Sequence, residues 1–152
     1  MGPRPDPDAP AASAPLQAAL HARELGGDEA LVDDARRDAF AAVLYGMAVG
    51  FASRDGQAEP PLAERVEDLA TTMIRQAIGL GFRDAGRAVT AVADALASDH
   101  IDPAVAECVH TGAALAADWI GGDTRAFEAR VMQLTAGGDI ASGRALRSPR
   151  PR

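Results

Sequence analysis

The apolar positions change character from segment to segment along this chain, and each change marks an element. From Ala39 to Ala52 the run AFAAVLYGMAVGFA is uncharged and apolar on nearly every side. As a helix it spans roughly 21 Å at about 1.5 Å per residue, short of the ~30 Å hydrocarbon core of a bilayer. It therefore has to be enclosed by other elements or by a second subunit. The preceding run carries Asp28, Glu29, Asp33 and Asp34, carboxylates suited to the positive end of the same helix. With Asp28 as its cap, this helix is predicted over 28–52 and expected to be central and the most buried.

The next pattern is one-sided. Leu62, Val66, Leu69, Met73, Ala77 and Leu80 recur at intervals of three and four, with Ile74 and Ile78 widening the stripe, which predicts a helix over 61–81. Val89, Val92 and Leu96 mark a third over 84–99. In the turn SDHIDP, Asp102 can cap a fourth helix with Pro103 at its first position, running over 103–120 through Val105, Cys108, Val109, Gly112, Leu115 and Trp119. Gly121-Gly122 ends it, and a shorter fifth helix follows over 123–136 with Phe127, Val131 and Leu134 inward. No segment alternates in the manner of a strand. The expected fold is all-α, a compact bundle of four principal helices and a shorter fifth.

Outside that 28–136 domain the pattern weakens. Residues 1–27 form a Pro-rich segment, expected to be disordered apart from a short helix over 16–25, since it has few large apolar side chains to offset the cost of ordering. Residues 137–152 are expected to be a disordered basic tail. There Arg144, Arg147, Arg150 and Arg152 stand against Asp139, a local charge of +3 that leaves −10 for residues 1–136.

Composition narrows the partners. The chain of 152 residues has a net charge of −7, so its body offers no electrostatic footprint for nucleic acid or an anionic membrane. All fifteen basic residues are arginine, which fits a GC-rich bacterial genome. The abundance of alanine reinforces the helical expectation. A lone cysteine, Cys108, excludes an internal disulfide and fits a reducing cytoplasm. The opening MGPRPDPDAPAASAP lacks the apolar core of a secretory signal, so export by that route is not expected.

The residues with chemical potential are few. Glu107 and His110 have the Glu-x-x-His spacing that ferritin-like di-metal sites use, because residues three apart share a helix face. A complete site needs inward carboxylates from other helices, and Glu64, Glu67 and Asp68 lie off the apolar stripe of theirs. The pair therefore reads first as solvated, and no metal or other cofactor is expected. Cys108 lies on an apolar stripe and reads as a buried structural thiol. His100, flanked by Asp99 and Asp102, reads as a turn residue. Gly46 and Gly50, preceded by Ala42, form a small-residue groove suited to close helix approach, within the chain or between subunits. Trp119 is a core filler with a secondary reading as an interface anchor.

No phosphate-binding glycine loop, nucleophile–base pair or complete ligand set accompanies these residues, and the balance falls against an enzyme. The leading expectation is a cytoplasmic protein acting by contact with another protein, possible roles being adaptor, immunity protein or antitoxin. An acidic surface of this kind suits a basic partner, and self-association is expected. One alternative is a small-molecule-binding module in which Met47, Met73, Met132, Phe51, Phe82 and Trp119 line a cavity. A second is a ferritin-like metal-binding protein using Glu107 and His110.

Overall fold

Six helices carry the residues described by this computed structural model, which are 10–27, 31–55 and 61–135. In order they are α1 (Pro10–Gly26), α2 (Asp34–Asp55), α3 (Leu62–Ile78), α4 (Phe82–Ala97), α5 (Pro103–Ile120) and α6 (Thr124–Thr135). No strand occurs among the described residues. None of these helices is long and apolar enough to cross a membrane.

The apolar run dictates the centre. Every residue from Ala39 to Ala48 is buried, and α2 packs most extensively on α5 and then on α3. Helix α3 turns Val66, Ala70, Met73, Ile74 and Ala77 inward, while α4 contributes Ala85, Val89 and Val92. Both thus bury most of the stripe that their three-and-four spacing requires, although Leu62 at the start of α3 is exposed. Arg65 of α3 reaches across to donate a hydrogen bond to the Ala52 carbonyl at 3.1 Å, tying it to the C-terminal end of α2.

Two expectations need correction. The described helices number six, not four principal and a fifth, because α1 begins at Pro10 and packs against α3 and α6. Its contact face is made of Ala18, Ala19 and Ala22, all fully buried. Alanines bring the helix axes close but give a weak periodic signal, and the prolines nearby pointed to disorder. The central helix also starts later than 28. Asp33 supplies its cap, accepting the Arg36 amide at 2.9 Å, whereas Asp28 lies outside the described residues.

The remaining boundaries fall close to expectation. Asp102 accepts the Ala104 amide at 2.9 Å with Pro103 at the first turn of α5. Asp123 accepts the Ala126 amide at 3.0 Å at the start of α6. Gly79 closes α3 with φ +88°, a left-handed conformation that favours glycine. The expectations for residues 1–9 and for the tail at 137–152 fall outside the described residues.

Candidate functional site

Between α2, α4 and α5 the small side chains of the bundle leave a half-open groove of about 280 Å³. Its walls are Ala41 and Ala42 of α2, Ala88, Ala91, Val92 and Ala95 of α4, and Val105 of α5. Alanines facing alanines cannot fill the space between helices held apart by larger residues elsewhere. Two carboxylates complete the lining. Asp38 is the last charged residue before the apolar run of α2, and Asp102 caps α5, one of its oxygens being held by the Ala104 amide.

Burial pushes the Asp38 carboxyl above its ordinary range; Arg37 offsets part of that rise and Asp34 adds to it. Arg37 is itself paired with Asp34 at 3.0 Å. The groove thus joins an apolar wall to two acidic groups at its rim, of which Asp38 is exposed and Asp102 half-buried. A cation on an aliphatic stem matches both features. No hydroxyl, thiol or imidazole is among the lining residues, so the arrangement is equipped to bind and carries no nucleophile or neutral base of that kind.

The residues singled out by the sequence are dispersed. Glu107 and His110 are both exposed on α5, and no group of three or more His, Cys, Asp or Glu residues converges among the described residues. Gly46 and Gly50 face α5 of the same chain, Gly46 against Val109 and Gly112 and Gly50 against Ala113 and Ala116: a Cβ added at Gly46 would lie 2.7 Å from the Val109 carbonyl carbon. Met47 and Met73 are fully buried in the core, whereas Met132 and Phe82 are exposed, so these side chains do not share one lining. His100 is exposed in its turn, its amide donating to the Ser98 hydroxyl at 3.1 Å.

Trp119 sits instead in a half-buried aromatic seam between α1, α5 and α6. Its ring meets Phe127 edge-on at 5.1 Å, and His21 of α1 stacks on Phe127 at 5.7 Å. The His21 Nε2 atom lies 3.1 Å from a Glu128 carboxylate oxygen, and Arg130 donates to Asp118 at 3.0 Å beside it. Sequence reasoning missed His21 and Glu128 because they are 107 residues apart. It missed Asp38 as well, although a carboxylate at the edge of a long uncharged run was a visible signal.

Compared with protein-family models, with curated proteins and with solved structures, the chain matches none.

Cys108 is fully buried, and its thiol is pushed up from 9.0 to about 12, chiefly by burial and further by Glu107 and Asp102. The thiol is therefore neutral near pH 8, and native protein should be alkylated by iodoacetamide far more slowly than denatured protein. Because the folded value is the higher one, this group's contribution to stability is whole below the ordinary thiol range. It is lost as pH rises from there through about 12. Equal labelling rates in native and denatured protein would contradict the burial.

Proposed function

We propose that this chain is a non-enzymatic, acidic helical protein of the bacterial cytoplasm that self-associates and acts by contact with another protein. Adaptor, immunity and antitoxin roles all belong to that class. The observation that carries the reading is the groove between α2, α4 and α5, an alanine and valine wall ending in Asp38 and Asp102. On a chain of net charge −7 it suits an arginine or lysine of a basic partner, with the stem against the wall and the cation between the carboxylates.

The test is recovery of partners from the native host by the wild type and by an Asp38→Asn, Asp102→Asn double variant, followed by mass spectrometry. Asparagine keeps the cap at position 102 while removing its charge, so the fold is retained. The expected result is a basic protein recovered by the wild type and lost by the variant. Recovery of the same proteins by both, or of none by the wild type, rejects the reading. A second reading, a small organic amine in the same half-open groove, draws on its volume of about 280 Å³, near the lower end of ligand pockets. It would show as a thermal shift with simple alkylamines that the double variant loses.

A further inference from the structure

The chain itself carries a segment whose chemistry fits the groove between α2, α4 and α5. Beyond Thr135, where α6 ends, the sequence continues through residues 136–152 with Arg144, Arg147, Arg150 and Arg152 against Asp139, a charge of +3 beside a remainder of −10. The complementarity is local as well as global. Asp38 and Asp102 stand at the groove's rim, and neither is in an ion pair among the described residues. Arg37, the cation acting on Asp38, is paired with Asp34 at 3.0 Å. In the segment RALR, Arg144 and Arg147 flank Ala145 and Leu146, so two cations accompany two apolar side chains. The groove offers the counterpart, two carboxylates beside a wall of alanine and valine.

The distances permit the contact. Asp102 caps the end of α5 opposite the turn that leads into α6, and α5, with 18 residues, is about 27 Å long. At up to about 3.6 Å per residue, the chain from Thr135 spans up to about 30 Å by Arg144 and about 40 Å by Arg147. The groove is therefore within reach wherever along α5 the last turn of α6 lies. Exposed ion pairs are individually weak and screened by salt. A tethered segment, however, meets its site at an effective concentration of the order of millimolar. A contact too weak to hold a free peptide at micromolar concentration is thereby populated within the chain, and it yields to a partner that binds the groove tightly.

We propose that the arginine-rich segment 142–152 docks into the groove of its own chain, with Arg144 and Arg147 at Asp38 and Asp102 and Leu146 on the alanine wall, as an internal competitor of the basic partner. This rests on the groove being the partner's site, as proposed above. It adds a regulation of that site, since a basic protein gains the groove only by displacing the tail, and weak binders are turned away.

A nitroxide placed on the full chain at Ser148→Cys tests the contact. Cys108 is fully buried, so native protein takes the label at the introduced thiol alone. At low salt the amides of Ala91, Ala95 and Val105 on the groove are expected to broaden more than those at the start of α3, which packs at the other end of α2. Salt at 1 M, where the screening length falls to about 3 Å, should restore them, and so should Asp38→Asn with Asp102→Asn. A second arm titrates the peptide SGRALRSPRPR into the full chain carrying Arg144→Gln, Arg147→Gln, Arg150→Gln and Arg152→Gln. Its groove amides should shift at severalfold lower peptide concentration than those of the wild type, whose own tail competes. If the peptide shifts the groove amides but the nitroxide does not broaden them selectively, the internal contact is overturned and the groove remains a site for a basic partner. Broadening in an isotope-labelled chain without nitroxide, mixed with a nitroxide-bearing chain without isotope, puts the tail on a second copy and also overturns it. A peptide that shifts no groove amide in either protein removes the docked tail and the partner reading together.

Discussion

Replacing Gly46 or Gly112 by alanine is expected to destabilise the protein by roughly 1–3 kcal/mol, although alanine is the better helix former by about 1 kcal/mol. The reason is the crossing of α2 and α5. A Cβ at Gly46 would lie 2.8 Å from the Val109 Cα, and one at Gly112 would lie 2.7 Å from the Met47 amide nitrogen. Both obstacles are backbone, which cannot rotate away as a side chain can. Relief requires the two axes to separate, and separation loosens Val43, Leu44 and Leu115, all fully buried near the crossing. The two substitutions act on one contact, so their combined cost should be less than additive. Urea denaturation measures the effect, and Gly86→Ala in α4 supplies the control, because a Cβ added there would meet nothing within 4 Å. At that open position the ordinary gain of roughly 0.5–1 kcal/mol from replacing a helical glycine is expected. If Gly46→Ala behaves like Gly86→Ala, the crossing is not as close as described.

The second large effect is expected from Phe127→Ala. Phe127 is fully buried and holds the seam together, edge-on to Trp119 and stacked on His21. Truncating a buried phenylalanine typically costs about 3–5 kcal/mol in lost burial and residual cavity. The loss should not be shared evenly. α6 is short and touches chiefly α1 and α5, and α1 depends on α3 and α6 for most of its cover. Amide hydrogen exchange should therefore accelerate first in α1 and α6, while α2 keeps protection close to the global limit. A uniform rise in exchange across all helices, or a change in stability within about 0.5 kcal/mol, would show that Phe127 does not anchor the seam.

What could be read from the chain in advance was local. Asp102-Pro103 announces the start of α5, and the three-and-four stripe of α3 announces which residues face inward, because caps and periodicity involve neighbours within a turn or two. The uncharged run of α2 announced a helix buried all round. Helix pairing was not legible in the same way. Gly46 marked a place for close approach, yet nothing beside it said that Gly112 of α5 would occupy that place, since the match lies between distant segments. The groove escaped notice for a related reason. Its walls are alanines on three helices, each unremarkable alone, and only their juxtaposition leaves a cavity with Asp38 and Asp102 at its edge. α1 was underread because an alanine face carries little contrast in hydropathy, although burial of Ala18, Ala19 and Ala22 is complete.

The seam between α1 and α6 also bears on the order in which the protein can be completed. His21 and Glu128 are partners across 107 residues, so α1 leaves a ribosome well before the α6 segment that covers it. At about 5–20 residues per second that interval is on the order of 5–20 s. During it the alanine face of α1 has α3 to rest on but no cover from α6. Nascent chains stalled before α6 should therefore expose the part of α1 around His21 that Phe127 and Glu128 cover in the finished fold.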